Sequence, residues 1–101
     1  MANTTTAQQI PAPAGALSVD EWRTEGSSGE QFRPFKGTSR QLEHCGGLVD
    51  LNISGEQYAD GRIERFVFVG DLCLDPPHLV QFARAFLAAH DEIQRLSGSG
   101  D

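Results

Sequence analysis

The sequence predicts an α+β fold: a small antiparallel sheet packed on one C-terminal amphipathic helix. Three observations predict it. Val49 to Ile53 alternates apolar and polar residues and is followed, after Asp60-Gly61, by the β-rich run Arg62 to Val69. From Leu79 to Leu96 apolar residues recur at three- and four-residue spacing. The chain of 101 residues suits one domain and holds no stretch near the roughly 20 apolar residues of a membrane-spanning helix.

The first segment, residues 1–16 (MANTTTAQQIPAPAGA), has no charged side chain and little apolar surface. It is expected to stay a disordered tail, because it buries too little to offset the entropy of ordering. It also lacks the basic start and continuous apolar core of a signal peptide. Leu17 to Trp22 and Gln31 to Lys36 are candidates for one or two N-terminal strands, which are needed because a lone hairpin is marginal in water. Pro34 cannot donate to a ladder, so the second candidate is placed at an edge or in a loop. Thr24 to Glu30 (TEGSSGE) reads as a loop.

The central hairpin is expected at about 48–58 and 62–70. Asp60-Gly61 suits a two-residue type I′ turn, which would set Ala59 opposite Arg62. In that register Val49, Leu51, Ile53, Phe66, Phe68 and Leu72 share one face. Asp50, Asn52, Ser54, Glu56 and Tyr58 share the other with Ile63, Arg65, Val67 and Val69, and Glu56 opposes Arg65.

The helix is expected at about 76–97, with Asp75 as N-cap and Pro76 in the first helical position. Leu79, Phe82, Ala83, Phe86, Leu87, His90, Ile93 and Leu96 form its apolar stripe, while Gln81, Arg84, Ala88, Asp91, Glu92 and Arg95 face away. The stripe is expected to lie across the Val49/Leu51/Phe66/Phe68 face, with His90 a satisfied core or boundary residue, or alternatively one that couples association to acidity. Gly98 supplies a C-terminal stop. The ordered domain is then 17–97, with 98–101 a second disordered end.

Charge narrows the classes of function. Of the net charge of −6, residues 48–101 carry −5, four arginines against nine carboxylates. An acidic half repels a phosphate backbone, which excludes nucleic acid as its partner. Arg33, Lys36 and Arg40 stand apart beside Phe32 and Phe35. That combination fits stacking and phosphate contact on a single strand as an alternative function, or an acidic protein partner.

Two cysteines fall far below the density of a disulfide-stapled secreted scaffold, so a reducing cytoplasm is the expected location. The alternative is a small zinc domain, since His44, Cys45, Cys73 and His78 make a complete tetrahedral donor set. Their spacing lacks a C-x2-C knuckle, and a Cys45–Cys73 bridge would require Cα atoms within about 7 Å. Neither metal nor cofactor is therefore assigned. No catalytic template is present: no G-x-S-x-G, no phosphate-binding glycine loop, no H-E-x-x-H.

The strand Val49-Asp50-Leu51-Asn52-Ile53, the turn Gln57 to Arg65 and the helical run Ala83-Arg84-Ala85-Phe86-Leu87-Ala88-Ala89-His90-Asp91-Glu92 carry a resemblance over residues 48–96. This half of the chain resembles a group of small actinobacterial and mycobacteriophage hairpin–helix proteins. The resemblance implies an α+β hairpin–helix domain and no activity, and His90 departs from the group's Ala-rich helix ending. The expected function is a non-enzymatic protein-interaction module regulating a host protein, with the Tyr58, Ile63, Val67 and Val69 face covered either by a second copy in a homodimer or by the N-terminal segment with Leu17, Val19 and Trp22.

Overall fold

The structure, a computed structural model, describes residues 10–100, with side chains over 10–98. The fold is α+β. Six antiparallel strands, β1 (Ser18–Val19), β2 (Arg23–Thr24), β3 (Gln31–His44), β4 (Gly47–Tyr58), β5 (Ile63–Val69) and β6 (Leu72–Leu74), precede one helix, α1 (Pro76–Gly100). The sheet order is β1-β3-β4-β5-β6, with β2 also paired to β3, and α1 packs on β5 and β6. Residues 1–9 and 101, expected in the disordered ends, lie outside the described residues.

The hairpin forms where expected but in a different register. Tyr58 N–H donates to Arg62 O and Gly61 N–H to Tyr58 O, which closes a three-residue loop, Ala59-Asp60-Gly61. Among the described residues only glycines have positive φ, and Gly61 sits at 100°. A type I′ turn would need Asp60 at positive φ as well. The loop instead keeps Asp60 at negative φ and leaves the left-handed position to Gly61. The result is a one-residue slip. Ile53 pairs with Val67, Ser54 with Phe66 and Glu56 with Glu64 rather than Arg65.

That slip exchanges every side chain of β5 between the faces. The first face now holds Val49, Leu51, Ile53, Gly55 and Gln57 with Ile63, Arg65, Val67 and Val69. The second holds Asn52, Ser54, Glu56 and Tyr58 with Glu64, Phe66 and Phe68. Phe66 and Phe68 meet edge to face at 5.6 Å, on the side opposite Leu51 and Ile53. The apolar residues Val49, Leu51, Ile53, Val67, Val69, Leu72 and Leu74 thus gather on the first face, parted from Phe66 and Phe68 on the second.

Strand β3 lies in the interior of the sheet, not at an edge. Pro34 falls between β1, which pairs with Phe35 and Lys36, and β2, which pairs with Gln31 and Phe32. The ladder position it cannot donate to is thus where the outer edge is interrupted; its carbonyl accepts from Asp20 N–H. Gly37 and Thr38 bulge opposite Ile53, so beyond them Arg40 and Leu42 pair with Leu51 and Val49. The β2–β3 loop is closed by Glu25, whose carboxylate accepts from Ser27 Oγ at 2.7 Å and from the Ser27 and Ser28 N–H groups at 2.8 Å. These bonds favour the ionised form and lower its pKa to about 2.

Two ends expected to be disordered are structured. Residues 10–16 form a strap over the first face, and α1 runs on to Gly100. The strap orders because side chains of the sheet satisfy its carbonyls, which composition does not reveal.

The helix meets the sheet only at its start. Leu79 and Phe82 are half-buried, but Phe86, Leu87, Ile93 and Leu96 are 59–67% exposed, and His90 is exposed beside Asp91 rather than in a core. Strand β6 carries the chain toward the Tyr58–Ile63 end of the sheet, so α1 leaves there while the β3–β4 tip lies at the other end. Fourteen strand residues span about 46 Å and 25 helical residues about 37 Å. The long axis is 73 Å, so the two are laid largely end to end.

Candidate protein-interaction surfaces

The most elaborate side-chain arrangement lies on the first face beneath the strap. Arg33, on β3, is buried without a carboxylate partner among the described residues. Its Nε donates to Gln57 Oε1 at 2.7 Å, its Nη2 to Ile10 O at 2.9 Å, and its guanidinium lies 4.7 Å from the centre of the Trp22 ring. Carbonyl dipoles and the ring face thus replace the hydration that burial removes. Gln57, itself buried, passes the chain of bonds on by donating Nε2 to Pro11 O at 2.9 Å. Arg65, from β5, donates to Ala14 O at 2.9 Å. Trp22 Nε1 is buried without a hydrogen-bond partner among the described residues.

On the second face, Glu56 and Glu64 sit directly opposite one another, a repulsive cross-strand pair. Tyr58 bridges them: its hydroxyl donates to Glu56 Oε1 at 2.9 Å and lies 3.2 Å from Glu64 Oε1, with the Arg62 guanidinium 4.1 Å from its ring centre. The bond to Glu56, then burial and the two negative charges, push the Tyr58 pKa up from 10 to about 12. The folded value lies above the unfolded one. The protonated bridge therefore contributes fully below pH 10, and its contribution is lost as the pH rises through about 12. Because this is the single tyrosine, phenolate absorbance should titrate near 12 in the folded chain and near 10 in denaturant. Glu56→Gln should lower the folded midpoint; an unchanged midpoint would remove the bridge.

The residues expected to form a dimer face do not share one surface. Ile63, Val67 and Val69 lie on the first face and Tyr58 on the second. Val67, paired with Ile53 and Leu74, is buried, and of the four only Ile63 is openly exposed. The basic group is divided as well. Arg33 is buried, Lys36 is exposed on the second face in a groove with Ser54 and Phe68, and Arg40 is exposed beyond the bulge. Phe32 and Phe35 point to opposite faces and Phe35 is buried, so a stacking platform for a nucleic-acid strand is not assembled.

The alternative zinc set is likewise separated. His44 and Cys45 sit at the hairpin tip, whereas Cys73 is level with Asn52, about 17 Å along the strands. His78 lies in the first turn of α1, at the other end. Among the described residues no three metal-capable side chains come together.

The largest exposed apolar side chains among the described residues lie instead on the helix stripe. Leu79, Phe82, Phe86, Ala89, Ile93 and Leu96 alternate spacings of three and four, an apolar repeat of 3.5 residues over three heptads. The spacing was visible in the sequence, but it serves equally a helix lying on its own sheet and one pairing with another helix. Among the described residues no helix is long and apolar enough to cross a membrane. Comparisons with protein-family models, with curated proteins and with solved structures gave no match.

Proposed function

We propose that this chain is a non-enzymatic protein-interaction module that works as a homodimer, with α1 as its dimerisation element. The observation that carries the reading is uncovered surface. A folded chain of 11.0 kDa exposes about 5,600 Å², whereas this one exposes 7559 Å². Part of that surface is the apolar stripe, where Phe86, Leu87, Ile93 and Leu96 are 59–67% exposed. The radius of gyration agrees: 19.3 Å, against about 13 Å for a compact chain of this length.

The stripe favours an antiparallel pair. Antiparallel helices set Phe86 across from Ala89, Phe82 from Ile93 and Leu79 from Leu96 of the second copy, so each layer combines a larger with a smaller or equal side chain. Glu92 then falls opposite Ala85, and His90 opposite Ala83, with no like charges in apposition. A parallel pair would instead stack Phe86 on Phe86 and leave Ala89 against Ala89. The free half of each helix is received near the sheet of the second copy. The hairpin tips, where Leu42 is 39% and Leu48 59% exposed, remain open at the two ends for a regulated host protein.

Sedimentation equilibrium at micromolar concentration should give twice 11.0 kDa. A single-chain mass up to millimolar concentration would overturn the reading.

A further inference from the structure

We propose that the strap groove on the first sheet face is a binding site for extended, proline-containing peptides, and that residues 10–14 are its intramolecular ligand. This site is distinct from the helix seam, so neither reading depends on the other.

The ligand chemistry is set by Ile10-Pro11-Ala12-Pro13-Ala14. Each proline fixes its own φ and biases the residue before it toward extended backbone, which makes this stretch a short polyproline II segment. Such a segment has no internal hydrogen bonds and presents its carbonyls outward.

The receptor chemistry matches it. Three adjacent strands each supply one side-chain donor, Arg33 from β3, Gln57 from β4 and Arg65 from β5, and each holds a strap carbonyl at 2.9 Å. Arg33 and Gln57 are buried, so the donors are built into the sheet rather than reaching over its rim. All three read backbone and none reads a strap side chain. Pro13 is the buried strap residue, while Pro11, Ala12, Ala14 and Gly15 stay exposed. Recognition of main-chain carbonyls plus one proline is tolerant of sequence, which is how grooves with aromatic walls accept proline-rich ligands.

Two features mark the strap as exchangeable. Its backbone makes no ladder with the sheet: the Pro13 carbonyl takes Ala16 N–H in a turn, and pairing with β3 begins at Leu17. Among the described residues the indole Nε1 of Trp22 is a donor left over beside the Arg33 stack, so the site has one more donor than residues 10–16 satisfy. A peptide from another protein can use that donor, provided it outcompetes a ligand tethered through Gly15 at an effective concentration of roughly millimolar.

The test uses the full chain and an acetylated, amidated peptide of residues 9–15. In Pro13→Glu, which places a charge at the buried strap position, the peptide should bind and change Trp22 fluorescence, and it should bind the unaltered chain at least tenfold more weakly. Trp22 is the single tryptophan, so the signal is local. In the unaltered chain, excess peptide should still shift the NMR signals of the Trp22 indole N–H and the Arg33 Nε–H. A folded Pro13→Glu chain that ignores the peptide overturns the proposal. So does equal binding of the same peptide with alanine at both prolines. If Pro13→Glu unfolds, the decision passes to the unaltered chain, where unmoved Trp22 and Arg33 signals would make the strap part of the core.

Discussion

Phe86→Glu is expected to abolish the self-association proposed for α1 while leaving each chain folded. Phe86 is 67% exposed in the single chain, so within one protomer glutamate costs less than about 0.5 kcal/mol. In the antiparallel pair the same position is central and occurs twice, and each copy would bury a carboxylate against Ala89 and its neighbours. Truncating a central anchor costs about 2–4 kcal/mol, and a buried charge without a partner costs more. Dissociation should therefore strengthen by at least 100-fold. Sedimentation velocity and circular dichroism together decide it: a monomer with unchanged secondary structure is expected, and a folded dimer would place the interface elsewhere. Arg84→Ala, on the outer side of the helix, should leave the mass at twice the single chain.

Gly55→Val is expected to be the most destabilising single change in the sheet. Gly55 pairs with both Phe35 and Arg65, and the Phe35 ring, 3% exposed, lies over the space where a Cβ would stand. A Cβ there would be 2.7 Å from Phe35 Cε1 and would also collide with Phe35 Cζ and the Glu64 carbonyl. The carbonyl belongs to the β5 backbone and cannot rotate away. Overpacking of a core costs about 1–3 kcal/mol when side chains can yield, so with backbone on one side about 3 kcal/mol or more is expected. That corresponds to a fall in Tm of roughly 12 °C or more for a domain of this size. Urea unfolding measures it. Phe35→Leu should recover part of the loss in a double-mutant cycle, because it withdraws the ring but not the carbonyl. Strictly additive effects would show that the ring and the glycine are not coupled.

Strand and helix positions were legible because they depend on near neighbours: alternation at Val49–Ile53, prolines ahead of Leu79, glycines at turns. The face of the hairpin was not. Asp60-Gly61 is compatible with a two-residue turn and with a three-residue loop, and the two differ by one residue of register. Alternation within each run is the same in both, so it could not report which β5 residues join Leu51 and Ile53. The candidate site failed for that reason: Tyr58 was grouped with Val67 in a register the loop does not adopt. Gln57 and Arg65 were passed over because no short motif marks a side chain that reads the backbone of a segment more than 40 residues away.

The sequence by itself determined the α+β class, the hairpin and helix segments, the amphipathic stripe from Leu79 to Leu96 and the concentration of negative charge after residue 47. All of these are properties of a run of residues and its period. Only the tertiary structure decided the strand faces, the burial of Arg33 and Val67, the docking of residues 10–16 and the exposure of the stripe. Each of these depends on a contact between distant segments or on a single φ angle in a turn. The stripe makes the difference plain: its period shows an apolar face, and the direction in which β6 delivers the chain into α1 leaves only Leu79 and Phe82 half-buried at the sheet and the rest exposed.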